Sequence, residues 1–301
     1  MPVLAGPDKS TAPGGKTLPP EVEKAIARVT DLGSVPEVTA RIVRVVEDPR
    51  TSARDIQAVV QADPALAAKV LKIVNSSFYG LPAQIASLER AILMLGMTAV
   101  KNLALASSLS RLLKADAVSE RFSARDVWRH CVAVGVCARE MAKAAQSVQP
   151  DEAFVAGLMH DVGLIAARQV FPAKLEEVAE LCSDSPQNFC ATEERIVGAD
   201  HQAIGGVLAA KWKFPANLRY AIAYHHEPRA LQADLQRIPA LTYVADVLCC
   251  QAKHGFSLTA ATQELSDDVL GTAGVRREKI AEIMNDLPAR VAEAEQIFTA
   301  T

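Results

Sequence analysis

From about residue 19 onward the large apolar residues of this chain recur every three or four positions, a spacing that lines up one side of a helix rather than one face of a strand. Val38, Ile42, Val45 and Val46 form one stripe, and Leu66, Val70, Ile73 and Val74 form another. The polar punctuation agrees. Ser52 followed by Asp55 has the form of a capping box with a short acid, and Asp63-Pro64 starts a helix with proline at its first position. Gly96 and Thr98 break and restart the run from Ala91 to Leu113. Further along, Val127, Cys131, Val134, Ala138 and Met141 share a face, and Ser266 to Thr301 reads as amphipathic helices. No stretch sustains an alternation of period two, so the predicted fold is all-α.

The stripes fall into two blocks. Residues 1–18 combine Pro, Gly, Ser, Thr and Lys with few large apolar side chains, and are predicted to be a disordered tail. Residues 19–117 form a first helical part and residues 118–301 a second, separated by the polar segment from Lys114 to Arg125.

Composition narrows the class of function. With 301 residues, half of them hydrophobic, the chain buries one large core or two smaller ones. A formal net charge of -3 argues against a nucleic-acid groove or an anionic membrane surface as partner. No apolar run approaches the roughly 20 residues of a spanning helix, and the N-terminus lacks the apolar core of a signal peptide, which predicts a cytoplasmic protein. The six cysteines show no C-x-x-C spacing and read as reduced, mostly buried thiols.

The chemistry is carried by histidines. All six lie in the second block, and five of them, His130, His160, His201, His225 and His226, stand with a His160-Asp161 dipeptide and a later Asp246 in an apolar setting. His130 follows Val127 on the inward stripe, His201 aligns with Ile204 and Leu208, and His225 follows Leu218 and Ile222. Alone, any one of them reads as a core or surface residue. Together they suit a borderline divalent cation, because neutral imidazole and carboxylate bind such ions without thiolates. Asp151 to Met159 forms a short helix running into His160-Asp161, with Gly163 placed to let the backbone turn closely. Other features read more simply. The segment from Asn75 to Gly80 is a helix end and turn, with a binding loop or a packing role between the blocks as alternatives. Lys69, Lys72, Arg90 and Lys101 form a solvated face, Trp128 and Trp212 are core, and His254-Gly255 is a surface cap.

Two long stretches, DPALAAKVLKIVNSSFYG from residue 63 and SLERAILMLG from residue 87, resemble the HDOD family, the regulatory relatives of the HD phosphohydrolases, and the similarity runs from about Leu18 to Leu218. The second block, with HDVG at 160–163 and HHE at 225–227, resembles the HD domain itself. The resemblance implies a fold in which His130, His160, Asp161 and Asp246 ligate one metal. By the same analogy Asp161 bridges to a second ion held by His201 and by His225, His226 or both. One or two divalent transition ions of Fe, Mn, Zn or Ni are implied. Two adjacent cations clamp a phosphoryl oxygen and acidify a bridging water.

The chain departs from the active HD-GYP phosphodiesterases at two points. Where those enzymes place a lysine after HDxG, this sequence has Leu164, and HHE continues as PRALQADLQRI rather than into a Gly-Tyr-Pro loop. Leucine neither donates a proton nor neutralises developing charge. The resemblance therefore implies a bacterial-type signal-transduction regulator that works through a protein partner or a nucleotide, and leaves self-association open. The alternative is a metal-dependent phosphohydrolase or phosphodiesterase acting on a nucleotide or cyclic dinucleotide, with Asp161 as its catalytic candidate.

Overall fold

The residues that punctuate the stripes become helix starts. In the computed structural model, which describes residues 17–32, 37–76, 79–109, 123–146 and 148–299, helix α1 spans Pro20–Leu32 and α2 spans Glu37–Glu47. Helix α3 (Ala53–Gln61) opens on the capping box: the Asp55 amide donates to Ser52 Oγ at 3.3 Å and the Ser52 amide donates to Asp55 Oδ2 at 2.9 Å. Asp63 caps α4 (Pro64–Val74), accepting the Leu66 amide at 3.0 Å. Ser87 caps α5 (Leu88–Leu95), and Gly96, at φ +87°, ends it before α6 (Met97–Leu109) begins. Residues 1–16 of the expected tail (1–18) and residues 114–122 of the expected boundary (Lys114 to Arg125) lie outside the described residues.

The second half is built around α7 (Ala124–Ala145), which packs against α8 (Pro150–Met159), α14 (Arg237–Gln251) and α16 (Arg277–Thr299). Between α8 and α14 the chain forms α9 (Val162–Val170), α10 (Pro172–Asp184), α11 (Phe189–Ile196), α12 (His201–Lys211) and α13 (Ala216–Tyr224); α15 (Asp267–Ala273) follows α14. Among the described residues there is no strand. One hydrophobic core runs from Val22 through α6 and α7 to Ala294. Every residue of α8 from Ala153 to Met159 is buried, so this stretch of the helix has no solvent face and reads as a continuous apolar run. Among the described residues no single helix is long and apolar enough to cross a membrane.

Two glycine contacts set the spacing of these helices. A Cβ on Gly157 of α8 would lie 2.8 Å from the Gly135 backbone of α7, and one on Gly163 of α9 would lie 1.9 Å from the His201 carbonyl oxygen. Gly163 thus serves a helix crossing inside α9 rather than the turn expected from sequence. Gly255 likewise corrects a sequence expectation. The residue that turns left-handed next to the end of α14 is Lys253, at φ 55°; Gly255, also left-handed at φ 77°, lies further on against the backbone of Asp126 and His130, with His254 half-buried beside it.

In the segment from Asn75 to Gly80, of which Ser77 and Phe78 lie outside the described residues, Asn75 marks a helix end and Tyr79 a tie between helices. The Asn75 side chain donates to the Leu71 and Ile85 carbonyls at 2.9 and 2.8 Å and accepts the Ile85 amide at 2.6 Å, locking the turn. Tyr79 then reaches across to donate to Asp151 of α8 at 2.5 Å, with the Arg139 guanidinium of α7 stacked 4.6 Å over its ring. Arg139 also donates to Asp151 at 3.2 Å.

Candidate metal centre

Helix ends and two helix faces bring all seven sequence-predicted ligands into one buried cluster. His130 comes from the inward face of α7 and Asp246 from α14, while His160 and Asp161 occupy the break between α8 and α9. His201 is the first residue of α12, and His225 and His226 follow the last turn of α13. The side chains of His130, His160, Asp161, His201, His225 and Asp246 are 0% exposed and that of His226 is 2% exposed.

The surrounding backbone fixes how the imidazoles face. His160 Nδ1 donates to the Gly157 carbonyl at 2.7 Å, and His225 Nδ1 to the Ile222 carbonyl at 3.0 Å. His201 Nδ1 donates to the Glu193 carboxylate at 2.5 Å. A carbonyl or carboxylate only accepts, so each Nδ1 carries the proton and each Nε2 lone pair turns inward. His201 Nε2 consequently faces His225 Nε2 at 3.2 Å and His226 Nε2 at 3.0 Å. Lone pairs that close repel unless a proton or a metal ion lies between them.

Part of the donor spacing matches that of ligands sharing one ion. Donors bound at about 2.1 Å to one cation sit roughly 3.0–3.4 Å apart. Asp161 Oδ1 lies 3.4 Å from His201 Nε2 and 3.7 Å from His225 Nε2, which closes one triangle of donors. On the other side Asp161 Oδ2 is 3.3 Å from His160 Nε2 and 3.9 Å from His130 Nε2, and Asp246 Oδ1 is 2.9 Å from His130 Nε2. The two Asp161 oxygens therefore face different groups. Neither has a hydrogen-bond partner, nor do Asp246 Oδ2, His160 Nε2 and His130 Nδ1. Bare buried polar atoms on this scale are costly without a compensating charge.

Electrostatics in the cluster follow from these contacts. Burial alone would raise the Asp161 carboxyl, but His160, His201 and His130 outweigh it and hold Asp161 far below the usual carboxylate range. Burial alone would lower His201, but Glu193 overcomes it and lifts His201 to about 9. His226, desolvated and beside His201, is pushed down to about 4, and His225, desolvated and beside His226 and His160, falls well below its ordinary value. Burial first, then Asp246, pushes the Cys250 thiol up, and it donates to Asp246 Oδ1 at 3.5 Å as a protonated thiol.

Several supporting residues escaped the sequence reading. Glu193, fully buried, accepts both the ring and the backbone amide of His201. It lies in TEER, where nothing in the sequence distinguishes it from the solvated Glu194. Gln202 accepts the His226 amide at 2.9 Å, and Gln263 bonds the His226 ring. Leu164, standing where the phosphodiesterases carry lysine, is 0% exposed in the core.

Comparison with known proteins came to the same family from outside. The sequence model of the HDOD domain matches residues 32–228. An uncharacterised protein of Treponema pallidum (strain Nichols) is 28% identical over 203 residues, covering 66% of this chain and 38% of that protein, so the chain spans well under half of that relative's length. Among solved structures, an HDOD domain protein of unknown function from Geobacter sulfurreducens superposes with a TM-score of 0.76 at 22% identity, covering 92% of this chain and 99% of that one. A proposed phosphohydrolase of Shewanella amazonensis SB2B gives a TM-score of 0.69 at 22% identity over 91% of this chain and 98% of its own. A proposed signal transduction protein of Marinobacter aquaeolei VT8 gives 0.71 at 24% identity, over 92% of this chain and 64% of that one. At these identities the superpositions establish the fold.

Proposed function

We propose that this chain, which belongs to the HDOD family, is a signal-transduction regulator whose HD-type cluster holds one or two divalent transition ions. It would act through a protein partner or a nucleotide. His130, His160 and Asp246 with one oxygen of Asp161 are the residues suited to one ion; His201, His225 and the other Asp161 oxygen, assisted by His226, are suited to a second. An ion there supplies Lewis acidity and an acidified water. The protein's own part is to hold the donors rigid: Gly157 and Ile222 carbonyls and the Glu193 carboxylate keep three imidazoles turned inward.

The observation that carries the ranking of regulator over enzyme is the sealing of the cluster. Donors that are 0% to 2% exposed meet no substrate phosphate in this arrangement. Leu164 adds to this, since losing a transition-state charge stabiliser typically slows a reaction about 100- to 1000-fold. The competing reading, a metal-dependent phosphohydrolase, draws on the two-sided placement of Asp161, which suits a bridged pair of ions.

Protein purified without added metal should carry a divalent transition metal by elemental analysis. Asp161→Ala should remove that metal more completely than His226→Ala, because Asp161 faces both donor groups. Assays against phosphodiesters, nucleotides and cyclic dinucleotides should show slow turnover or none. Enzyme-like hydrolysis abolished by Asp161→Ala would reverse the ranking, and metal-free protein of unchanged stability on metal addition would end both readings.

A further inference from the structure

A second polar region lies apart from the cluster, in a cavity of about 260 Å³ where α6 meets α8, α13 and α14. The sequence suggests a solvated face for Lys101, but Lys101 is 9% exposed and its neighbour Asn102 8%, and both line this cavity with Thr98. Lys101 makes no hydrogen bond or ion pair among the described residues. The carboxylate whose field reaches it, Asp48, is held by Arg50 at 3.1 Å instead. Lys101 thus presents a cation at the cavity wall with no carboxylate bound to it among the described residues, an arrangement that suits a ligand whose countercharge arrives from outside.

The rest of the wall defines the shape of that occupant. Leu105, Val155 and Leu218 supply apolar surface. The first turn of α13 lines the cavity, and that helix has no side-chain cap, so its amides add positive potential. Glu152 is engaged by Asn217 through one oxygen at 2.8 Å, and its other oxygen is free to accept an N–H. Glu152, Asn217 and Ile238 also border an adjoining depression of about 390 Å³ that reaches Arg237, giving a longer ligand room to extend.

We infer that this cavity binds a small organic anion whose oxyanion end meets Lys101, Asn102 and Thr98 and whose apolar body lies against Leu105, Val155 and Leu218. Carboxylate and phosphate ester share that chemistry. The inference is independent of any metal, since none of these residues belongs to the cluster.

Titration calorimetry on the full chain with benzoate, phenyl phosphate, 4-aminobenzoate and neutral benzamide tests it. The expected result is saturable binding of at least one anion and none of benzamide; whichever of benzoate and phenyl phosphate binds more tightly identifies the head group. A gain for 4-aminobenzoate over benzoate locates Glu152 as the N–H acceptor. Lys101→Met and, as a second variant of unchanged shape, Asn102→Asp should each weaken binding at least tenfold while metal content and helical circular dichroism stay at the wild-type level. Absence of saturable binding by every anion overturns the inference. So does equal binding of benzoate and benzamide, or anion binding that both folded variants retain.

Discussion

Helix α3 begins on Ser52 and Asp55, exposed residues that satisfy each other and the helix's own amides. Helix α9 begins on Asp161, fully buried, whose carboxylate makes no bond to its own helix. Both are acids at a helix start, where an acid ordinarily caps. At Ser52, Asp63 and Ser87 that local use is taken up, and those three helices begin where their capping residues say. At Asp161 it is forgone, and both oxygens turn toward imidazoles from α7, α8, α12 and α13. A capping group withheld from its own helix in a dry interior is what the proposed metal site accounts for. The same contrast explains why one region tolerates exposure and the other depends on close packing.

That contrast can be broken most severely at Gly163. Gly163→Ala would put a methyl carbon 1.9 Å from the His201 carbonyl, so α9 and α12 must separate. Backbone overpacking of this kind should cost about 3 kcal/mol or more, read as a lowered urea midpoint together with lost metal. An unchanged midpoint would mean the crossing is looser than described.

Glu193→Gln comes next. It keeps the shape beside His201 but removes the charge, and loss of such a supporting partner typically weakens metal affinity 10- to 100-fold. The pair also sets a pH dependence. In metal-free protein His201 is raised to about 9, so its contribution to stability is full below its ordinary value of 6.5 and is lost as pH rises through about 9. Metal on Nε2 must displace that proton. Calorimetry near pH 7 in buffers of different ionisation enthalpy should show proton release on metal binding, smaller in Glu193→Gln. Equal release by both proteins would separate Glu193 from the effect.

Tyr79→Phe tests the tie between the turn after α4 and helices α7 and α8. It removes a bond to a charged acceptor, and with Arg139 still on Asp151 the expected loss is about 1–2 kcal/mol. Thermal unfolding should register it without any change in metal content. Smallest of the four is Ser52→Ala, which deletes an exposed cap and should cost about 1 kcal/mol or less. A larger loss there than at Tyr79 would invert the ordering that distinguishes the two regions.

What was legible from sequence follows from what local chemistry controls. Periodicity, capping residues and Pro64 placed the helices, since each acts within a turn or two of its own position. The metal-ligand candidates were legible because five histidines and two aspartates in apolar surroundings are rare enough to stand out. Glu193 was not, because a buried glutamate and a solvated one look alike until Glu193 is seen to meet His201 at the start of α12. Gly163 carried the wrong explanation for the same reason: its missing side chain answers to His201, nearly forty residues away. Lys101 is the clearest case. Helical spacing put it on a charged face, and only the arrival of α8, α13 and α14 around α6 turned that face into the wall of a cavity. Burial is a property of the partners an element meets, and a chain specifies those only through its whole packed arrangement.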